Sequence, residues 1–176
     1  MKSIAIGAVT AGGKTTLVHA LQSKLPRSAA LYFDDYTFDG AVEDYSEWVA
    51  SDAYYDVWDL SPLRADIEQH RQSGKLDYLL LDYPFAYRNA MLQPYLDCCI
   101  FLDTPLDIAL ARRVLRDQKA ASADEIRQEM TNYLQFARPA YVQMQIDILP
   151  SSDYVLDGAK PLEQLLQEAL HIIESL

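Results

Sequence analysis

The 176-residue chain has few cysteines, few glycines, little positive charge and no long apolar run, and each scarcity excludes something. Its two cysteines, Cys98 and Cys99, are neighbours inside "CCIFL". Successive strand side chains point to opposite faces, so a disulfide between them is strained, and the pair reads as buried reduced thiols suited to the cytosol. Lysine and arginine number 15 against 26 acids, for a net charge of −11. Acids spread along the whole length repel nucleic acid and acidic membrane surfaces, so neither is an expected partner, and any anionic ligand must be held by local groups. No stretch approaches the roughly 18 consecutive apolar residues of a membrane span, and "MKSIAIG" runs into a glycine-rich turn instead of a signal-peptide cleavage site. The expectation is a cytoplasmic protein.

Half of the residues are apolar, enough for one domain over residues 1–176 with a core buried on two faces of a sheet. Short apolar runs recur at Ser3 to Ala8, Ala29 to Phe33, Leu76 to Leu81, Cys98 to Leu102 and Tyr154 to Leu156. Their near-continuous hydrophobicity suits strands covered on both faces. Helix starts lie between them. "TPLD" (Thr104 to Asp107) offers a threonine cap followed by proline, "SADE" (Ser122 to Glu125) is a capping box, and "SPLRAD" (Ser61 to Asp66) repeats the serine-proline opening. Alternating strands and helices with short connections specify a doubly wound α/β parallel sheet, whose ligands bind beyond the carboxyl ends of its strands. The C-terminal "KPLEQLLQEALHIIESL" is an ordinary amphipathic helix, with His171 a surface or packing residue.

Three of the six glycines gather in "GAVTAGG", directly after the first strand. With the "KTTLVHALQSKL" helix that follows, they give the context of a phosphate-binding loop. Small residues let the backbone wrap a polyphosphate, and the helix presents unsatisfied N–H groups with about half a positive elementary charge. Ala11, Gly12, Gly13, Lys14, Thr15 and Thr16 are therefore the candidate nucleotide-binding residues. Lys14 reaches for the β and γ phosphates, and the Thr15 hydroxyl is a hard ligand for Mg²⁺. The G-x-x-x-x-G-K-[ST] pattern calls for glycine at position 8 and finds Ala8. GTP-specific switches carry D-x-x-G and N-K-x-D strings, and neither occurs.

Further along come "YFDDYTF", "LLLDYPF", "FLDTPLDIALARRVLRD" and "NYLQFARPAY". In this order, and with "SSDYVLDG" near the end, the chain resembles the uridine kinase and nicotinamide riboside kinase family of P-loop kinases over nearly its full length. The resemblance implies a three-layer α/β/α P-loop fold with a five-stranded parallel sheet, using Mg-ATP. It places the catalytic base on Asp34, with Asp35 as rival, and the metal-associated acid on Asp82, directly or through water. A carboxylate accepting the proton of an attacking hydroxyl, and arginines on the transferring phosphoryl group, are what phosphoryl transfer needs. Arg112 and Arg116 share a helical face, with Arg113 three residues from Arg116, so at least two guanidinium groups can meet one phosphate. The family's arginine-rich lid corresponds to residues 116–127, where Lys119 and Arg127 are the available cations.

Residues 34–60 form the expected acceptor insert, holding both tryptophans, many tyrosines and Asp34, Asp35, Asp39, Glu43, Asp44, Asp52 and Asp56. Aromatic faces stack a planar base and carboxylates accept from ribose hydroxyls. The family's ribose-binding acid corresponds to Asp56 or Asp59, with Asp59 preferred, and Asp35, Tyr36, Phe85 and Tyr87 complete the candidate acceptor set. The implied function is transfer of the ATP γ-phosphoryl group to a small-molecule hydroxyl, foremost the 5′-hydroxyl of a nucleoside such as uridine or cytidine. Nicotinamide riboside, pantothenate or a sugar stay open as acceptors. So does a regulatory ATPase without an acceptor, given Ala8, Tyr83 where the family has glycine, and the short lid.

Overall fold

The computed structural model describes residues 1–42 and 44–176, leaving Glu43 outside the described residues. Five parallel strands form one sheet: β1 (Lys2–Gly7), β2 (Ser28–Tyr32), β3 (Tyr78–Asp82), β4 (Cys98–Asp103) and β5 (Tyr154–Asp157), in the spatial order β2-β3-β1-β4-β5. The seven α-helices of the described residues are α1 (Lys14–Lys24), α2 (Tyr45–Ala50), α3 (Ser61–Ser73), α4 (Leu106–Asp117), α5 (Ala123–Asn132), α6 (Arg138–Ile148) and α7 (Leu162–Glu174). The expected three-layer architecture is the observed one, and each strand lies within two or three residues of the apolar run that announces it.

The strands read as continuous apolar runs because both faces are covered. Ile4, Ile6, Leu80, Cys98 and Ile100 pack under α1 and α7, whereas Ala5, Leu79, Leu81, Cys99 and Phe101 pack under α3, α6 and a group of aromatic rings. Cys98 and Cys99 thus face opposite layers, both thiols are free, and burial raises both, pushing Cys98 up to about 12. No helix among the described residues is long and apolar enough to cross a membrane.

Two helix starts depart from the sequence reading. Thr104 does not cap α4, which begins at Leu106 behind Pro105; its buried hydroxyl instead donates to the Gly12 carbonyl at 2.7 Å, tying the β4 end to the glycine-rich loop. Ser61 is the first residue of α3, Leu60 holds the cap position, and Asp59 Oδ1 just before it accepts from the Ser61 amide at 2.9 Å. The capping box at α5 has both arms: the Ser122 amide donates to Glu125 and the Glu125 amide to Ser122 Oγ. Between α5 and α6 the backbone widens into a π-helical turn at Tyr133–Ala137. Pro139 lacks the N–H that would close an α-turn on Gln135, and the Gln135 carbonyl accepts from Ser46 Oγ of α2 at 3.3 Å. Helix α2 is thereby tied to the α5–α6 arm.

Thr104 also explains a glycine. A Cβ on Gly158 would collide with Thr104 Oγ1 and sit 3.0 Å from its Cβ. Gly158→Ala is expected to cost about 1–3 kcal/mol of overpacking and lower the melting temperature by about 5 °C, read by thermal unfolding.

Candidate active site

All five strands end at the same side of the sheet, and their carboxyl ends carry the site. The turn after β1 is closed by the Gly12 amide on the Val9 carbonyl at 2.9 Å. Its left-handed positions are Ala11 (φ 59°) and Gly13 (φ 108°), not Ala8, so the methyl at position 8 is carried without backbone strain there. That methyl takes the space a side chain at position 12 would need: a Cβ on Gly12 would lie 2.7 Å from Ala8 Cβ and 2.8 Å from the Val9 carbonyl oxygen. The missing glycine at 8 and the glycine at 12 are two sides of one packing corner.

Gly13 caps α1 with no side-chain acceptor, and no acid sits in the helix's first turn. The amides there keep their positive end for an anion. Lys14 is folded back, its Nζ donating to the Ala8 carbonyl at 3.3 Å and lying 3.9 Å from Asp82 Oδ1. Burial lowers its pKa, and Asp82 and Asp34 pull the other way. Burial raises Asp82, opposed by Lys14 and by the Thr15 hydroxyl that donates to Asp82 Oδ2. Thr15 and Asp82 bring two hard oxygens to one point, a donor set that fits Mg²⁺, which takes few protein ligands and completes its shell with water and phosphate oxygens. No group of three or more histidine, cysteine or acidic residues among the described residues forms a metal cage.

A cavity of about 840 Å³ opens from this loop. Its lining includes Ala11 to Thr16, Asp34, Arg112, Arg113, Arg116 and the aromatic residues Phe33, Tyr45, Trp48, Trp58, Phe85 and Tyr141. Asp34 lies in a short 3₁₀ turn after β2, exposed toward the cavity. Asp35 borders a smaller adjoining recess with His19, Tyr32 and Asp82, which Thr15 and Asp34 also line. Each arginine has a partner: Arg112 Nη1 donates to the Gly158 carbonyl at 3.1 Å, Arg113 Nη2 pairs with Glu129 at 2.7 Å, and Arg116 grips both oxygens of Asp117. Phe85 is in the wall, packed on Trp58 at 4.7 Å between ring centroids.

Four candidate acceptor residues, Asp35, Tyr36, Asp59 and Tyr87, lie outside this cavity. Tyr36 donates its hydroxyl to Asp66 at 2.7 Å, Tyr87 donates to Asp153 at 2.6 Å, and Asp59 accepts from the Ser61 amide. Nor do the lid cations border it: Arg127 pairs with Asp124 on its own helix, and Lys119 is exposed in the turn after α4. In their place stand residues the sequence reading did not single out. Tyr45, Tyr141 and Met144 line the cavity, as does Lys160, which is in an ion pair with Glu168. "NYLQFARPAY" held Tyr141 in plain view, but only the π-turn and Pro139 show how its ring is delivered.

No family model matches the chain. A uridine kinase of Staphylococcus epidermidis is 28% identical over 165 residues, spanning 80% of this chain and 79% of that one. The chain is similar to uridine kinases over most of its length. A chloroplastic uridine/cytidine kinase of Arabidopsis thaliana is 26% identical over 100 residues; there the match spans 56% of this chain and 20% of the plant protein. A solved sugar kinase from Janibacter sp. superposes with a TM-score of 0.59 at 18% identity, covering 99% of this chain and 95% of that structure. That likeness is one of fold: the structural neighbours are P-loop kinases.

Lys14→Ala is expected to weaken nucleotide binding and cut turnover by about 10²–10³, since it removes the ammonium at the loop. Calorimetric titration with ATP and steady-state turnover check the two parts separately.

Proposed function

We propose that the chain is an ATP-dependent kinase that transfers the γ-phosphoryl group of Mg-ATP to the 5′-hydroxyl of a nucleoside of the uridine or cytidine kind. The observation that carries it is the single cavity joining the Lys14–Thr15 loop, Asp34 and an aromatic wall. In this reading the loop amides and Lys14 hold the polyphosphate, and Thr15 with Asp82 holds Mg²⁺, which when bound screens charge on the phosphate oxygens. Arg116 neutralises the transferring group. Asp34 accepts the proton of the attacking hydroxyl, and Trp58 and Phe85 seat the acceptor. Residues 116–127 serve as the short lid, and α2 with its neighbours as the acceptor insert.

Purified protein with Mg-ATP is to be assayed for ADP release and phosphorylated product against uridine, cytidine, nicotinamide riboside, pantothenate and simple sugars. Nucleoside-stimulated ADP release with a 5′-monophosphate product is the expected result. Transfer to no acceptor, or hydrolysis indifferent to all of them, overturns the reading and favours a regulatory ATPase.

A further inference from the structure

A side chain behind the glycine-rich loop holds it from the strand side. Thr104, directly after β4, is 1% exposed and stands outside the cavity lining, yet its hydroxyl donates to the Gly12 carbonyl at 2.7 Å. The fold leaves that hydroxyl little freedom. The Thr104 amide is turned onto the Leu102 carbonyl at 3.0 Å, and Gly158 packs so closely that a Cβ there would collide with Thr104 Oγ1. Gly158 is fixed in turn by its amide on the Asp103 carbonyl at 3.1 Å and by Arg112 Nη1 on its own carbonyl, also at 3.1 Å. The end of β4 and the loop after β5 therefore box Thr104 in.

A trans peptide unit is planar, so its carbonyl and its N–H point in opposite directions. Drawing the Gly12 carbonyl back toward Thr104 turns the Gly13 N–H the other way, and Gly13, unlike Thr104, borders the cavity. Among the described residues that amide has no protein acceptor, which leaves it to an anion. The chain does not keep this orientation unaided. Neither Gly12 nor Gly13 has a Cβ to hinder rotation of the peptide between them, and a flip would carry Gly13 from φ 108° to the negative values that any residue adopts. The flipped unit would set a carbonyl oxygen against phosphate oxygens, turning an attraction into a repulsion.

We infer that Thr104 is a positioning residue for the polyphosphate: its hydroxyl locks the Gly12–Gly13 peptide with the Gly13 N–H toward the cavity. The inference rests on the reading of this loop as the ATP site and deepens it, since the competent loop is made in part by a residue that does not line the cavity. Without the hydroxyl, the Gly12 carbonyl either stays buried without a partner or swings round to find water. A buried polar group left unpartnered shifts such an equilibrium by about 10- to 100-fold.

Full-length protein and its Thr104→Val and Thr104→Ser variants are titrated by calorimetry with ATP and with inorganic tripolyphosphate, both in the presence of Mg²⁺, and the Gly13 amide is followed by NMR. Thr104→Val keeps the shape and loses the donor. It is expected to raise both dissociation constants by about 10- to 100-fold at unchanged site number and to lose the downfield shift that ATP gives the Gly13 amide in the parent. Thr104→Ser keeps the donor and is expected to stay within about threefold of the parent for both ligands. Thr104→Val binding within about threefold of the parent, or Thr104→Ser losing as much as Thr104→Val, overturns the inference and leaves the ATP reading standing. So does a fall in site number at an unchanged dissociation constant, because the hydroxyl then serves folding alone. A parent that binds neither ATP nor tripolyphosphate overturns both. Should Thr104→Val not fold, the parent carries the test: its Thr104 hydroxyl proton is expected to exchange slowly with water before and after ATP is added, and fast exchange in either state overturns the lock.

Discussion

Arg116→Ala is expected to lower turnover by about 10³-fold or more while leaving ATP affinity within a few-fold, the signature of a charge that acts on the transferring phosphoryl group. Three arginines border the cavity, but the fold uses them differently. Arg112 is bonded to the Gly158 carbonyl and so ties α4 to the loop after β5. Arg113 joins α4 to α5 through Glu129 and reaches the Tyr141 hydroxyl at 3.4 Å. Among the described residues Arg116 is bound to its chain neighbour Asp117, at 2.6 and 2.9 Å, and the two side chains are 59% and 39% exposed. An exposed pair of this kind is worth about 0–1 kcal/mol, so exchanging Asp117 for a phosphate oxygen costs little. The charge of Arg116 acts on Lys14 and is acted on by Asp34, residues that line the same cavity. Arg116→Lys is expected to recover only part of the loss, because an ammonium lacks the planar fork. Arg112→Ala, by contrast, is expected to show first as a lower melting temperature. Turnover of Arg116→Ala within about tenfold of the parent would move the role to another arginine.

Much of the fold was legible because its cause is local. Strands buried on both faces must be apolar throughout, and the loop after β1 must be small and followed by an amphipathic helix, so β1, α1 and their junction stand out in the first 24 residues. The capping box at Ser122 was legible for the same reason. Thr104 was not. Its threonine-proline context favours a cap, but the Gly12 carbonyl, 92 residues away in sequence, offers its hydroxyl a buried acceptor that capping cannot match.

The acceptor side was the least legible part, and its misplacements share one physical origin. Tyr36, Asp59 and Tyr87 were chosen as residue types able to bind a nucleoside, and each is also a type that folding uses to satisfy a polar group. Tyr36 finds Asp66 and Tyr87 finds Asp153, partners 30 and 66 residues distant. Tyr141 went unread because its delivery depends on the π-turn, itself a consequence of Pro139 and of Ser46 on a different helix. Side-chain chemistry narrows the candidates, and the partner each one finds in three dimensions decides which of them face the cavity.

Asp34→Asn is expected to reduce kcat by about 10²–10⁴ with ATP affinity unchanged, whereas Asp35→Asn is expected to leave kcat within about threefold. The two acids are adjacent in the same 3₁₀ turn and both border the recess with His19 and Tyr32, but of the two Asp34 alone also borders the main cavity. Both substitutions keep the side chain's shape and remove one negative charge, so a difference between them cannot come from net charge alone. Asp34 also helps hold the charge on Lys14, and losing it eases deprotonation of that buried ammonium. If this indirect route dominated, ATP binding would fall together with turnover, and raising the pH would weaken binding further in the variant than in the parent. A general base predicts the opposite split: calorimetry shows ATP bound as before, and single-turnover transfer is slowed. An equal loss in both variants would mean that the turn's charge, rather than one positioned oxygen, sets the rate.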